Sequence, residues 1–139
     1  MVQIIAGQKG KGKTKILINK VNDEVRSSTG SIVYLDKSNK HMYELSNKIR
    51  LINVRDFLIN NYSEFLGFIC GIISQDRDLE RVYLDSFLRI ANIEESDIGN
   101  VLGKLTKISE QFSIDFVISI SVDPENLPEE YKDKVIVSL

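Results

Sequence analysis

Gly7-Gln8-Lys9-Gly10-Lys11-Gly12-Lys13-Thr14 is the stretch whose reading decides the fold. It satisfies G-x-x-x-x-G-K-[ST], the phosphate-binding loop, at every defined position. The apolar run Val2-Gln3-Ile4-Ile5-Ala6 precedes it, and the helix-like Lys15-Ile16-Leu17-Ile18-Asn19-Lys20-Val21 follows. Strand, glycine-rich turn and helix in that order are the context the motif requires. With Gly at about 7% of residues, the fixed positions match a random window at roughly one in ten thousand or less.

The chemistry asks for these residue types. Glycines let successive N–H groups turn into one concavity. That concavity lies at a helix N-terminus, where partial positive charge favours anions. Gly7, Gln8, Lys9, Gly10, Lys11, Gly12, Lys13, Thr14 and Lys15 are therefore expected to bind the phosphates of a nucleoside triphosphate. Lys13 is expected to reach the β- and γ-phosphates, and the Thr14 hydroxyl to be a ligand to Mg²⁺.

Charge points to the same place. The chain carries a net −2, yet residues 7–20 hold five lysines and no acid, which leaves −7 for the remainder. Positive charge is focused where a polyphosphate would sit, and the rest would repel a nucleic-acid backbone. No nucleic-acid partner is expected. A length of 139 residues, 42% of them hydrophobic and 27% charged, implies a single nucleotide-binding domain over 1–139. No apolar run approaches a membrane span. The single cysteine, Cys70, excludes an internal disulfide, suits a reducing cytoplasm and reads as a buried packing residue.

Outward from the loop, the first helix is expected over Lys13 to about Val25, then a turn at residues 27–31 and a strand Ile32-Val33-Tyr34-Leu35 ending in Asp36. Residues 42–54 read as irregular or a small hairpin. Arg55 to Ser74 carries Leu58, Tyr62, Phe65, Leu66, Ile69, Ile72 and Ile73 at helical spacing. Gly67 and Gly71 suggest that this helix lies tightly on a sheet. Arg81-Val82-Tyr83-Leu84-Asp85 is the next strand. A helix over about 97–111 follows, capped by Ser96, then a buried strand at 116–122, a helical turn near 127–132 and a last strand at 134–139. This alternation predicts an α/β fold with a mostly parallel five-strand sheet and helices on both faces. Ligands in such sheets sit at the carboxyl ends of the strands, so Gly7, Asp36, Asp85, and Ser119 or Ser121 matter most.

With these parts in place, the chain resembles the P-loop NTPases, and its order of elements resembles the RecA-like group, a three-layer fold. Val82-Tyr83-Leu84-Asp85 looks like a Walker B strand, which implies that Asp85 supports Mg²⁺ through water. Asp36 stands where some RecA-type members place the acid that orients the attacking water. Lys13, Asp36 and Asp85 are thus the implied catalytic set, and Thr14 and Asp85 the metal side. Ser119 or Ser121 matches the polar group that relatives carry on the strand beside the P-loop strand. Many relatives have Glu directly after the Walker B Asp, whereas this chain has Ser86. Losing a water-orienting acid slows hydrolysis while leaving binding intact. Arg50, Arg55, Arg77, Arg81 and Arg89 are the candidates for an arginine finger.

Narrower comparisons refine the ligand. Asn19-Lys20, Asn39-Lys40 and Asn47-Lys48 begin the guanine-selecting N-K-x-D motif, but Asn22, Met42 and Arg50 occupy its fourth position. ATP is favoured accordingly. Gly10-Lys11-Gly12-Lys13-Thr14 is similar to the loop of ATP:corrinoid adenosyltransferases, although Lys15 replaces a second Thr. Size and Leu127-Pro128-Glu129-Glu130-Tyr131 before a strand resemble small bacterial proteins labelled as twitching-motility-type ATPases. The motors that own that label are far larger, and no pilus function follows. The expected function is Mg-ATP binding with slow or partner-stimulated hydrolysis, in a homo-oligomer or with a protein partner. A small ATP-dependent transferase and a non-hydrolysing nucleotide-gated interaction module are the alternatives.

Overall fold

The computed structural model describes residues 1–139. Six strands form one sheet: β1 (Val2–Ala6), β2 (Ser31–Asp36), β3 (Ile49–Asn53), β4 (Leu79–Leu84), β5 (Asp115–Ile120) and β6 (Val135–Ser138). Their order is β3-β2-β4-β5-β1-β6, and every pairing is parallel. Four α-helices accompany them: α1 (Lys13–Val25), α2 (Tyr62–Gln75), α3 (Phe87–Ile90) and α4 (Ile98–Phe112). No helix is long and apolar enough to cross a membrane.

Strand periodicity separates two cores. Along a strand, side chains alternate between faces. Val33, Leu35, Val82, Leu84, Phe116 and Ile118 face α2, α3 and α4. Ile32, Tyr34, Tyr83 and Val117 face α1, with Leu17, Ile18 and Val21 packed on them. The sheet is therefore covered on both faces, giving the expected three layers. Leu45 completes the α1 face, from a loop that Asn22 of α1 ties down by donating to Glu44 O and accepting from Ser46 N (both 2.9 Å).

Four local readings change. The sixth strand is β3, an edge strand paired in parallel with β2, where the sequence suggested irregular structure or a small hairpin. Its five residues bury Ile49 and Ile52 and expose Arg50, a half-covered edge too short to show periodicity clearly. The long helix begins at Tyr62, not Arg55. Asn61 accepts from Glu64 N at 2.9 Å while the Glu64 carboxylate accepts from Asn60 N at 2.7 Å, a reciprocal cap that fixes the start. Leu58 therefore belongs to a loop and is 93% exposed. On α2, Gly67 and Gly71 have nothing within 4 Å of a built Cβ, and Cys70 is exposed. The small residues of α2 look outward, and Phe65, Leu66 and Ile69 carry its packing. At the start of α4, Glu94 and Asp97 form the capping box in place of Ser96.

Candidate functional site

The same alternation that sorts the cores builds the site. Tyr34 and Tyr83 face α1, so Asp36 and Asp85, two residues further along, continue onto that face at the carboxyl edge. Ser119 does the same, two residues after Val117. Parallel register aligns them: Leu35 pairs with Leu84, and Leu84 with Ile118. Asp85 N also donates to Leu35 O at 2.9 Å. Three strands thus deliver Asp36, Asp85 and Ser119 side by side, opposite the loop that leads from β1 into α1.

That loop needs its glycines for two different reasons. Gly10 and Gly12 adopt φ of +87° and +93°, the left-handed region that a Cβ disfavours, and a Cβ on either would meet nothing within 4 Å. Gly7 has no such φ. A Cβ there would lie 2.8 Å from Leu139 Cβ, because Leu139 N bonds Ala6 O beyond β6. Lys13 is buried, and its ammonium donates to Gln8 O at 3.0 Å. Burial holds that ammonium below its ordinary value, with the field of Asp85 opposing. No carboxylate lies within ion-pair distance of it.

Asp85 is the junction. Its Oδ1 accepts from Thr14 Oγ1 at 3.2 Å and from Ser119 Oγ at 2.8 Å, while Oδ2 accepts from the Tyr34 hydroxyl at 2.7 Å. Ser119 in turn accepts from Ser86 N at 3.0 Å. Between the two serines left open by the sequence, Ser119 makes these bonds, and Ser121 lines the cavity beyond them. Tyr34 was not foreseen. Its hydroxyl is held far above its ordinary titration range, by burial first and then by Asp85, so it is a fixed neutral donor. The signal was present: a tyrosine inside an aliphatic strand, two residues before an acid, whose hydroxyl needs a partner.

Asp36 differs from Asp85. Oδ1 accepts from Lys37 N at 2.7 Å, but Oδ2 is buried with no partner. The other such atom, the Tyr83 hydroxyl, feels Arg81 and Asp115 and lies away from the site. Burial, and then Asp85, raise the Asp36 carboxyl above the usual carboxylate range. Of the five arginines named as finger candidates, Arg89 alone lines the cavity, and Arg81 is held by Glu24 of α1.

A cavity of about 500 Å³ opens over Lys13, Thr14, Asp36, Asp85 and Ser119. The donors fit Mg²⁺ and a polyphosphate. Thr14 and Asp85 offer hard oxygens, Asp36 Oδ2 is a buried acceptor without a donor, and the space beside Gly10 and Gly12 is open. No group of three or more His, Cys, Asp or Glu residues could hold a metal alone. A cation here would share its shell with phosphate oxygens and water, the habit of Mg²⁺.

No family model matches the sequence, and no curated protein matches it. Among solved structures, the flagellar accessory protein FlaH from Methanocaldococcus jannaschii is similar, with a TM-score of 0.60 at 13% identity. The match covers 93% of this chain and 63% of that one, so the chain spans less than two thirds of FlaH. At this identity the likeness shows the fold alone, a layered α/β architecture around a parallel sheet.

Two outcomes check this geometry. Tyr34→Phe keeps the ring but leaves Asp85 Oδ2 without a donor, and should lower unfolding free energy in urea by about 1.5–3 kcal/mol. For Asp36 the sign follows from its raised value. Below the ordinary carboxylate range, folded and unfolded chains both carry it neutral and no penalty exists. The penalty grows as pH rises from there and is complete above the raised folded value. Without nucleotide, Asp36→Asn should therefore stabilise at neutral pH by on the order of 1 kcal/mol. The gain should vanish below about pH 4, as urea midpoints across pH would show.

Proposed function

We propose that the chain binds Mg-ATP and hydrolyses it slowly, or at a rate raised by a partner. The observation that carries this reading is the Thr14–Asp85 bond at 3.2 Å, which joins residues 71 apart in sequence beside a buried Lys13. A turn that merely linked a strand to a helix would need neither the buried lysine nor the acid.

In this reading the N–H groups of the loop and the Lys13 ammonium bind phosphate oxygens, which is the anion a lysine without a carboxylate calls for. Thr14 and Asp85 hold the Mg²⁺ side, Thr14 directly and Asp85 through water. The metal supplies charge neutralisation when bound. Ser119 and Tyr34 keep the Asp85 carboxylate in one orientation. Asp36, one strand over, presents Oδ2 to accept a hydrogen bond from the attacking water and orient it. Ser86 cannot take that role, since a hydroxyl is a poor base, and Asp36 stands as its replacement. Slow turnover follows from Asp36 being the single acid placed to orient water. The selection of ATP over GTP rests on the missing N-K-x-D motif.

Calorimetry with Mg-ATP and Mg-GTP tests the reading. Mg-ATP should bind in the micromolar range and more tightly than Mg-GTP, with Lys13→Ala weakening it at least ~10-fold. Phosphate release should run at about 10⁻⁴–10⁻² s⁻¹ and fall at least ~10-fold in Asp36→Asn. Absence of Mg-ATP binding, or equal binding by Lys13→Ala, contradicts the proposal.

A further inference from the structure

The cavity continues past Asp36 and Asp85, away from the phosphate-binding loop. Its far wall is built by Lys37, Ser38, Lys40 and His41, which follow β2, and by Arg89 on α3. Nothing in Mg-ATP binding as described uses this wall. Its lysines and its arginine are unpaired. The ion pairs of the molecule are Met1–Asp115, Lys20–Glu24, His41–Glu44, Arg81–Glu24 and Lys132–Glu129. Lys37 is half-buried, and the wall is crowded with like charge. Burial, then Arg89 and Lys9, push its ammonium below the ordinary value, Arg55 adds to this, and Asp36 alone opposes.

Position separates this wall from the phosphates already assigned. In the order β2-β4-β5-β1, the strand before Lys37 lies three places from the strand before the loop. At about 4.8 Å per strand the two strand ends are roughly 14 Å apart, a gap that the Lys37 side chain spans in part, since it feels Lys9. Lys13 and Thr14 engage the site at Asp85, which follows β4, so the wall stands one strand beyond the place of the terminal phosphate. Beyond the two carboxylates that line the cavity, Asp36 and Asp85, the charged side chains of this wall are cationic and in no ion pair except His41, and clustered charge of one sign concentrates the opposite ion. Arg89 offers a planar fork that matches an oxyanion with two bonds, and Lys37 a point charge beside it.

We propose that Lys37 and Arg89 form a second oxyanion subsite, which holds the phosphate or carboxylate group of an anionic co-substrate opposite the terminal phosphate of the nucleotide. The assignment rests on the Mg-ATP reading for its orientation. Asp36, with Oδ2 unpartnered, lies at the boundary of the two subsites.

The test fills the nucleotide site first. Protein is saturated with the Mg²⁺ complex of the β,γ-imido analogue of ATP, then titrated calorimetrically with inorganic phosphate and, separately, with malonate. With the γ-phosphate position occupied, one equivalent of oxyanion should bind with a Kd of about 0.1–1 mM. The tighter of the two probes gives the chemical class. Lys37→Gln/Arg89→Gln should weaken that binding at least ~10-fold while the analogue's affinity stays within about threefold. Neither side chain makes a hydrogen bond within the protein, so the variant should fold, and thermal melting checks this. Binding of neither oxyanion up to about 10 mM, or binding indifferent to the double substitution, overturns the subsite and leaves the nucleotide reading standing. Failure of the analogue itself to bind overturns both.

Discussion

One buried carboxylate holds this site together. Asp85 is 2% exposed and accepts hydrogen bonds from Thr14, Ser119 and Tyr34, which come from α1, β5 and β2. Burying a carboxylate is costly unless hydrogen bonds replace its water. Here the replacement comes from three separate elements, so the bonds that satisfy Asp85 also set where the first helix sits on the sheet. Register makes this possible, since parallel strands of matched length bring the end of β4 level with those of β2 and β5.

Charge is distributed around that carboxylate with a direction. On one side stands Lys13, buried and without an ion-pair partner. On the other stands Asp36, whose Oδ2 has no donor. Each is a costly state in the protein alone, and in the proposed reading each would be relieved by a different part of a hydrated nucleotide: Lys13 by phosphate oxygens, Asp36 by the protons of water. Complementary deficits in one cavity are what a binding site for a hydrated, anionic ligand requires. A purely structural polar network would have closed on itself, as the bonds of Ser119 and Tyr34 do.

Much of this was legible in the chain. The loop motif, the run of strands ending in acids and the alternation of elements were enough for the layered parallel sheet and for Lys13, Thr14, Asp36 and Asp85 as neighbours. Period-two alternation put Ser119 and Ser121 on one face without choosing between them. What escaped had physical causes. β3 is five residues at an edge, with one face half covered, and leaves almost no pattern. The start of α2 is set by a cap at Asn61, whereas the upstream Leu58 satisfied the helical spacing from a loop. Gly67, Cys70 and Gly71 were read as inward because small and apolar residues usually are. The helix places its bulkier residues inward, and these three face solvent. The Tyr34 bond depends on reach across a strand, which no one-dimensional pattern encodes.

The central claim is that Thr14 and Asp85 are held together as one half of a metal–nucleotide site. A crystal structure with Mg²⁺ and the β,γ-imido analogue of ATP tests it most directly. The account predicts Mg²⁺ about 2.1 Å from Thr14 Oγ1, Asp85 bonded to a metal-bound water, and Lys13 turned from Gln8 O to the terminal phosphates. A nucleotide bound elsewhere, or a Thr14–Asp85 hydrogen bond unchanged with no metal at Thr14, would contradict it.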